Sequence, residues 1–535
     1  MIERATQRRL AGDWRGACAA VNVDADFDLR AVRRMHGAEV AERVEDDLRH
    51  LAPDLLRWHL PRRPRDGLLR GGLWFPLDLL PEDHALVARA PVWHDRPQRI
   101  TLRVEHLDRT SPGRRDDELL HLRDRWDSRC TGGMLSRCGG VQRLPFFAAD
   151  GERLPEERLG GAGPEGLVER LVRLDDGGRH AAAWAAAGFR LDVLLFDPRW
   201  GRDLVDPAAF DPWLPTGRRN HVRGEVVRRS LAWLRPIHPT LTEAARGVQG
   251  LARIDMRGRC LVLDGRRVRL VTRVPYGRVD EERRRAEVAE FGVELARIPR
   301  IPDVLARRPA ELDALVQGRL GPDDLHPLVR AALFPGRPAP VPAPLPVLRE
   351  TVRVHCDHAT HEVAMRDGAV VLPHTPAEIA RERMIQALGG EVQGCVAAYD
   401  GWRNPAVRMP RPMRTLRDDL MTLIRRGDAR AVAAALDRGL DPHVRDERGR
   451  TLLHLLPWLH GADLLPRLLA AGLDIAARDE RGETPLHAAV DHGTAELVTA
   501  LVAAGADPRA RANGTYGRMP LHTNRPELAF LRRSP

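Results

Sequence analysis

The sequence predicts a multidomain protein with an α+β amino-terminal region, a small β–α unit and a carboxy-terminal all-α stack of helix pairs. The chain has 535 residues, whereas single hydrophobic cores stop growing at about 250–300 residues. Proline stands at nearly every second position of residues 335–346, which favours an extended linker between folded units. Beyond this linker several residues recur every 33 positions, a spacing typical of stacked repeats.

Residues 1–334 mix helical and strand patterns and predict the α+β region. The alternating apolar residues Ile100, Leu102 and Val104 indicate a half-buried strand. Residues 251–274 predict two or three strands, with a hairpin turn at Asp264-Gly265. A Gly/Pro-rich stretch near residue 160 indicates a possible break between two domains. Helices are expected at 5–21 (as a hairpin), 31–51, 279–298 and 323–334.

The segment 347–404 predicts the small β–α unit. Residues 351–356 and 361–365 read as short strands, and the turn residues Asp367-Gly368 lead into a third strand. Thr375 and Glu378 have the spacing of a capping box, with Pro376 at the first helical position. We therefore expect a helix from this point to Gly389, followed by a second helix over 391–402.

The repeat is strict at a few positions. Pairs and triplets 33 residues apart are Thr451 and Thr484, His454 and His487, and Gly439, Gly472 and Gly505. In the segment 479–511, Thr484 and Pro485 can begin one helix and Gly493 can end it, where a left-handed residue is expected. A second helix then ends at Gly505. One helix pair cannot bury its own apolar face, so the copies must stack.

The segment 479–511 resembles the ankyrin repeat, because it carries D-x-x-G-x-T-P-L-H-x-A, a Gly between helices and a closing G-A-D. The resemblance covers residues 413–535, as units 413–445, 446–478 and 479–511 and a partial unit 512–535. It implies helix pairs with β-turn tips, in which Thr and His of the T-P-L-H element bond locally and connect adjacent repeats. The residues assigned structural roles are Thr451, His454, Gly472, Thr484, Pro485, Leu486, His487, Gly493 and Gly505. The second unit departs from the pattern, with Pro457 and Pro466 expected inside its helices.

The family's usual role implies an adaptor or scaffold that binds another protein. We expect contacts at the charged turn tips, namely Asp446, Glu447, Arg448, Asp479, Glu480 and Arg481. The alternative is an enzyme or nucleic-acid-processing protein whose active body is 1–334, with the stack as a targeting or bracing module. We also expect the marginal stack to pack against residues 347–404.

Composition narrows the class of function. All 85 basic residues are Arg, which excludes phosphate loops and Schiff-base chemistry that require Lys. The net charge of +10 is spread among 75 acidic residues, so a nucleic-acid partner is not favoured. The six cysteines are scattered, which favours reduced thiols in a cytoplasm. The sequence shows no signal-like apolar segment and no apolar run of 18 residues. We therefore expect a cytoplasmic, bacterial-type protein without a membrane partner. No cofactor is expected, no catalytic set is recognised, and the oligomeric state is left open.

Two clusters of polar residues could carry chemistry. His355, Cys356, His358 and His361 are weak candidates for zinc ligands. His355 and Cys356 are neighbours on a predicted strand, so their side chains face opposite ways. No second cluster in the sequence offers an obvious fourth ligand. We therefore favour a solvated hairpin and expect no metal. Four acids at 197, 203, 206 and 211 could do acid–base work, but their Asp-Pro steps favour ordinary turns and helix starts.

Overall fold

The computed structural model describes much of the chain. The described residues are 2–532 except 93–96, 108–113, 198–200, 206–249, 257–258, 266, 274–290, 294–296, 303, 305–307, 339–347, 357–358, 391–392, 460–461, 514–516 and 524.

A five-stranded sheet covered by helices forms the first part of the chain. Its elements are α1 (Ile2–Leu10), α2 (Trp14–Ala19), β1 (Val23–Ala25), α3 (Leu29–His36), α4 (Ala38–His50), α5 (Pro53–His59), β2 (Leu73–Leu80), β3 (His84–Arg89), β4 (Ile100–His106), β5 (Arg114–Arg115) and α6 (Glu118–His121). The strand order is β1-β4-β3-β2-β5, with β3 antiparallel to both β2 and β4. Val44 and Leu48 of α4 belong to the same core as Phe75 and Leu102 of the sheet. The predicted helical hairpin and the strand at 100–104 are both present.

The single helix predicted over 31–51 is wrong. Two helices, α3 and α4, meet at Gly37, whose φ of +90° is a left-handed conformation that ends a helix. The Gly37 N–H closes α3 by donating to the Arg33 carbonyl at 3.1 Å. The apolar periodicity continues across this glycine, so the pattern alone does not reveal the break.

Helices that follow the first sheet in the chain form a second core. They are α7 (Met134–Arg137), α8 (Pro164–Asp176), α9 (His180–Ala186), α10 (Ala310–Val316) and α11 (Pro327–Leu333). All but α9, which packs against α8, contribute side chains to this core. Phe147, Val172, Leu315 and Phe334 lie in this core. Residues on both sides of position 160 therefore contribute to one cluster.

A second five-stranded sheet follows. Its strands are β6 (Arg190–Asp197), β7 (Gly201–Val205), β8 (Leu251–Met256), β9 (Arg259–Asp264) and β10 (Arg267–Arg273), in the order β7-β6-β10-β9-β8. Of the two or three strands predicted at 251–274, three are present, with Gly265 at φ +58° in the β9–β10 turn. Most of the helix predicted at 279–298 lies outside the described residues, as do Asp206 and Asp211. Asp197 and Asp203 lie on the paired strands β6 and β7.

The small β–α unit matches its prediction closely. It consists of β11 (Thr351–Cys356), β12 (Ala359–Arg366), β13 (Ala369–Val371), α12 (Pro376–Ala387) and α13 (Gly394–Arg403). Asp367 and Gly368 both have positive φ, as a tight two-residue hairpin turn requires. The capping box is formed, because Glu378 accepts from the Thr375 N–H at 2.8 Å while Thr375 Oγ1 accepts from the Glu378 N–H at 3.3 Å.

Helix pairs make up the carboxy-terminal part. The helices are α14 (Arg411–Arg425), α15 (Ala429–Asp437), α16 (Leu452–Leu459), α17 (Leu465–Ala470), α18 (Pro485–His492) and α19 (Ala495–Ala503). Pro457 lies inside α16 as expected, but Pro466 occupies the first turn of α17, where a missing N–H costs no helical hydrogen bond. The last unit is reduced to the 3-10 helices Pro520–His522 and Pro526–Arg532.

The repeats and the small β–α unit share one hydrophobic core. It runs from Val354 and Met365 on the hairpin through Trp402 and Met413 to Leu528 in the last unit. Trp402 of α13 is fully buried, and its indole N–H donates to the Asp441 carbonyl of the first repeat at 3.1 Å. Arg403 reaches the Asp441 carboxylate at 2.7 Å. The expected packing of the stack against the preceding unit is therefore present.

Candidate functional site

The turn tips divide into structural and exposed residues. Asp446 is 4% exposed, and its Oδ1 accepts the backbone N–H groups of Arg448 and Arg450 at 3.0 and 2.9 Å. Asp479 makes the equivalent two bonds within the next tip, both at 2.9 Å. These two carboxylates shape the turns from inside, as Asx turns do. Of the six predicted contact residues, four are exposed: Glu447, Arg448, Glu480 and Arg481.

A ladder of arginines joins successive tips. Arg445 donates to the Gly449 carbonyl of its own turn at 2.6 Å and to the Arg478 carbonyl, 33 residues on, at 3.0 Å. Arg478 repeats this arrangement with Gly482 and Arg511 at 2.9 and 2.6 Å. Arg445 and Arg478 were not among the predicted site residues, although they lie 33 positions apart in the sequence. The ladder fixes the tips as a row with a constant step.

The Thr and His residues of the repeat connect one unit to the next. His454 Nδ1 accepts from the Thr451 N–H at 3.1 Å, and its Nε2–H donates to the Glu483 carbonyl of the following unit at 3.0 Å. His487 makes the same pair of contacts, with Thr484 at 3.0 Å and the Arg518 carbonyl at 2.9 Å. Burial lowers the pKa of His454 to about 4 and also lowers the pKa of His487. Both imidazoles are therefore neutral at pH 7.

The glycines at the helix ends act in two ways. Gly472 and Gly505 have φ values of +84° and +98°, the left-handed conformation expected after a helix. Gly493 differs from the prediction, because its φ of −87° is accessible to any residue. A Cβ there would lie 2.7 Å from the Ala489 carbonyl oxygen, so close packing rather than backbone conformation requires glycine. Pro485 and Leu486 are buried at the start of α18.

The inner face of the first two repeats lies against the amino-terminal body. A cavity of about 240 Å³ is bounded by Asp66 and Leu68 on one side and by Met421, Leu455 and Trp458 on the other. Next to it, the Arg426 guanidinium donates to the Asp66 carbonyl at 3.0 Å. These repeats thus contact their own chain, whereas Glu480 and Arg481 of the third repeat remain exposed.

The four candidate zinc ligands separate in the structure. His355 is exposed on the hairpin, 3.5 Å from Thr360 Oγ1, and His358 lies outside the described residues. Cys356 and His361 point the other way, where two residues that the sequence analysis did not select, His374 and Cys395, join them. Burial and the neighbouring Cys356 raise the pKa of the Cys395 thiol to about 12. These four residues form no short sequence motif, because they are spread over 40 residues (356 to 395).

Comparison with known proteins supports the repeat assignment. Residues 420–522 match the family model described as ankyrin repeats (3 copies). The carboxy-terminal stack is therefore a set of ankyrin repeats, and the resemblance seen in the sequence is confirmed there. Repeats of this family generally mediate protein–protein interaction. No curated protein matches the chain. None of the helices in the described ranges combines the length and apolar character that a membrane crossing requires.

Proposed function

We propose that this protein is an adaptor or scaffold. The first two ankyrin repeats contact other domains of the same chain, and the third repeat binds another protein. The division of the stack carries the proposal: repeats one and two face residues 66–68 and share a core with the 348–404 unit. The third repeat leaves its tip residues Glu480 and Arg481 exposed, whereas most of α18 is buried in the stack. In this proposal the protein acts in the cytoplasm, and its free cysteines suit a reducing compartment.

The proposed contact surface is the exposed edge of the third tip, Glu480 and Arg481, because Glu447 and Arg448 of the second tip line the cavity against Asp66 and Leu68. Backbone hydrogen bonds hold this edge rigid, since the Glu480 N–H donates to the Arg448 carbonyl at 3.0 Å. A rigid row of alternating charges loses little conformational entropy on binding. Charges at such a rim mainly determine specificity and association rate.

The test exchanges the two charges of the third tip, with Glu480→Arg and Arg481→Glu in the full chain. Asp479 and Gly482 are left intact, so the turn keeps its internal hydrogen bonds. The matched control exchanges Arg353 and Glu362, an exposed cross-strand pair 3.5 Å apart on β11 and β12. Both variants conserve net charge and composition. Proteins captured by each chain from a lysate of the source organism are compared by quantitative mass spectrometry.

We expect at least one protein that wild type captures to fall more than tenfold with the tip variant and to remain with the control. If the tip variant and wild type capture the same proteins in equal amounts, the tips are not the contact surface. Equal loss in both variants would also reject the assignment, because it would show dependence on general surface charge.

A second candidate function has one observation in its favour. A cavity of about 290 Å³ is lined by Arg57, Arg62 and Arg426 together with Gln98. Burial, with Arg62 and Arg99 nearby, lowers the pKa of Arg57 to about 10, so the group remains cationic at pH 7. Three guanidinium groups around one cavity suit an anionic ligand such as a phosphate ester.

This candidate is tested by calorimetric titration with pyrophosphate at constant ionic strength. Arg57→Gln should weaken binding at least tenfold, whereas Arg65→Gln, at an exposed position in the loop that follows α5, should not. Equal affinity in wild type and Arg57→Gln would eliminate the cavity as an anion site.

A further inference from the structure

We propose that Cys356, His361, His374 and Cys395 form a structural zinc site that cross-links the hairpin and α13 within the small β–α unit, against which the ankyrin stack packs. The four ligand atoms all lie within 4.8 Å of one another. Two thiolates and two imidazoles are one of the donor sets that closed, tetrahedral zinc sites use.

The distances fit one tetrahedral ion. Bonds of about 2.3 Å to sulfur and about 2.0 Å to nitrogen imply nitrogen–nitrogen and nitrogen–sulfur edges of about 3.3 and 3.5 Å. In the structure His361 Nδ1 lies 3.1 Å from His374 Nε2. The Cys356 sulfur is 3.7 Å from His374 Nε2, and the Cys395 sulfur is 3.7 Å from His361 Nδ1. The four donor atoms thus surround a common centre.

The fold builds this arrangement from four separate elements. Cys356 is the last residue of β11, His361 lies on β12, His374 follows β13, and Cys395 is in the first turn of α13. Side chains alternate between the two faces of a strand. His361 therefore lies on the face of the hairpin opposite to His355, the face that packs against α13. Because the ligands come from different elements, one ion would cross-link the hairpin to both helices.

The absence of a side chain at Gly394 leaves room for the Cys356 sulfur. The φ of Gly394 is +60°, and a Cβ at this position would lie 2.5 Å from the Cys356 sulfur. Any side chain would therefore displace a ligand. The positive φ also aims the start of α13 so that Cys395 enters the cluster, and the helix amino terminus favours the negative charge of a thiolate.

A carboxylate lies near one ligand. His374 Nδ1 lies 3.8 Å from Glu378 Oε2, on the ring edge opposite the cluster. Glu378 is held in turn by Thr375 through the capping box, with Oγ1 to Oε2 at 2.9 Å. The 3.8 Å between His374 and Glu378 exceeds the length of a hydrogen bond, so the Glu378 carboxylate acts on the His374 ring only as a nearby negative charge.

The site is closed, because protein side chains fill all four positions, so its role is structural rather than catalytic. On binding, each thiol loses its proton and each imidazole offers a neutral nitrogen, and about two protons are released per zinc ion. The ion would stiffen the hairpin and α13, and α13 carries Trp402 into the core of the stack. Zinc would therefore stabilise the amino-terminal end of the repeats.

The test measures metal in the full chain purified under reducing conditions without chelator. We expect about one zinc ion per chain by plasma mass spectrometry. After chelation, cobalt should restore one equivalent, with the intense visible bands of a tetrahedral site and a thiolate charge-transfer band. Cys356→Ser with Cys395→Ser should abolish both signals. The controls Cys130→Ser, at another partly exposed cysteine, and His355→Gln, on the other side of the same hairpin, should retain them.

The zinc and cobalt measurements on the wild-type chain test the proposal even if the double variant fails to fold. Less than a tenth of an equivalent of zinc, together with no tetrahedral cobalt spectrum, would overturn the proposal. A disulfide between Cys356 and Cys395 that persists through purification under reducing conditions would overturn it as well. Loss of metal from His355→Gln equal to that from the cysteine variant would place the ion elsewhere.

Discussion

Protonation of His454 should loosen the repeats in mild acid. The imidazole is 1% exposed and receives the Thr451 N–H through Nδ1, so it must be neutral to keep its contacts. Its pKa is lowered from 6.5 in the unfolded chain to about 4 in the folded chain, chiefly by burial. The unfolded state therefore binds more protons between these values, and stability that is complete above pH 6.5 is lost as pH falls. At pH 5 linkage gives a loss of about 2 kcal/mol relative to pH 7.5.

Hydrogen exchange measured by mass spectrometry can follow this loss in peptides covering 448–492. After correction for intrinsic rates, exchange in wild type should be about thirtyfold faster at pH 5 than at pH 7.5, because 1.4 kcal/mol is a factor of ten. The control is His454→Gln, whose amide can accept from Thr451 and donate to the Glu483 carbonyl but does not titrate in this range. If both chains lose the same protection on acidification, the buried neutral histidine is not the cause.

Three further substitutions test how the stack is held. Gly439→Ala should lower the free energy of unfolding by about 2 kcal/mol in urea titration, because φ is +93° and a Cβ would lie 2.7 Å from the Asp367 nitrogen; an unchanged midpoint would refute this. Arg478→Met removes both ladder bonds and should cost about 1–2 kcal/mol by the same assay, whereas Arg509→Met should have less effect. Arg426→Gln should speed hydrogen exchange in residues 61–69 and leave that of the repeats unchanged. Unchanged exchange in residues 61–69 would show that the contact does not stabilise this segment.

Local signals made the small unit and the repeats predictable. Asp367-Gly368, the Thr375–Glu378 capping box and the T-P-L-H element each encode their conformation within a few residues. Such features need no knowledge of distant packing, and the structure contains all of them. The shared core was also foreseeable, because the repeats were too few and too irregular to bury their own apolar faces.

Long-range arrangements were not predictable in the same way. The break at Gly37 depends on one backbone conformation, which the continuing apolar pattern conceals. The zinc ligands His374 and Cys395 meet Cys356 only because a hairpin and a helix pack together, and no short motif records that packing. Asp446 looked like a surface charge in the sequence, since burial of a carboxylate by its own turn is visible only in three dimensions.

The central claim is that the ankyrin repeats and the hairpin unit before them form one cooperative structure. Trp402 tests it most directly, because this fully buried side chain joins α13 to the first repeat. Trp402→Ala should cost about 3–5 kcal/mol, and hydrogen exchange should accelerate together in β11, β12 and α14. Faster exchange in α13 and the hairpin alone, with α14 as protected as in wild type, would contradict the account.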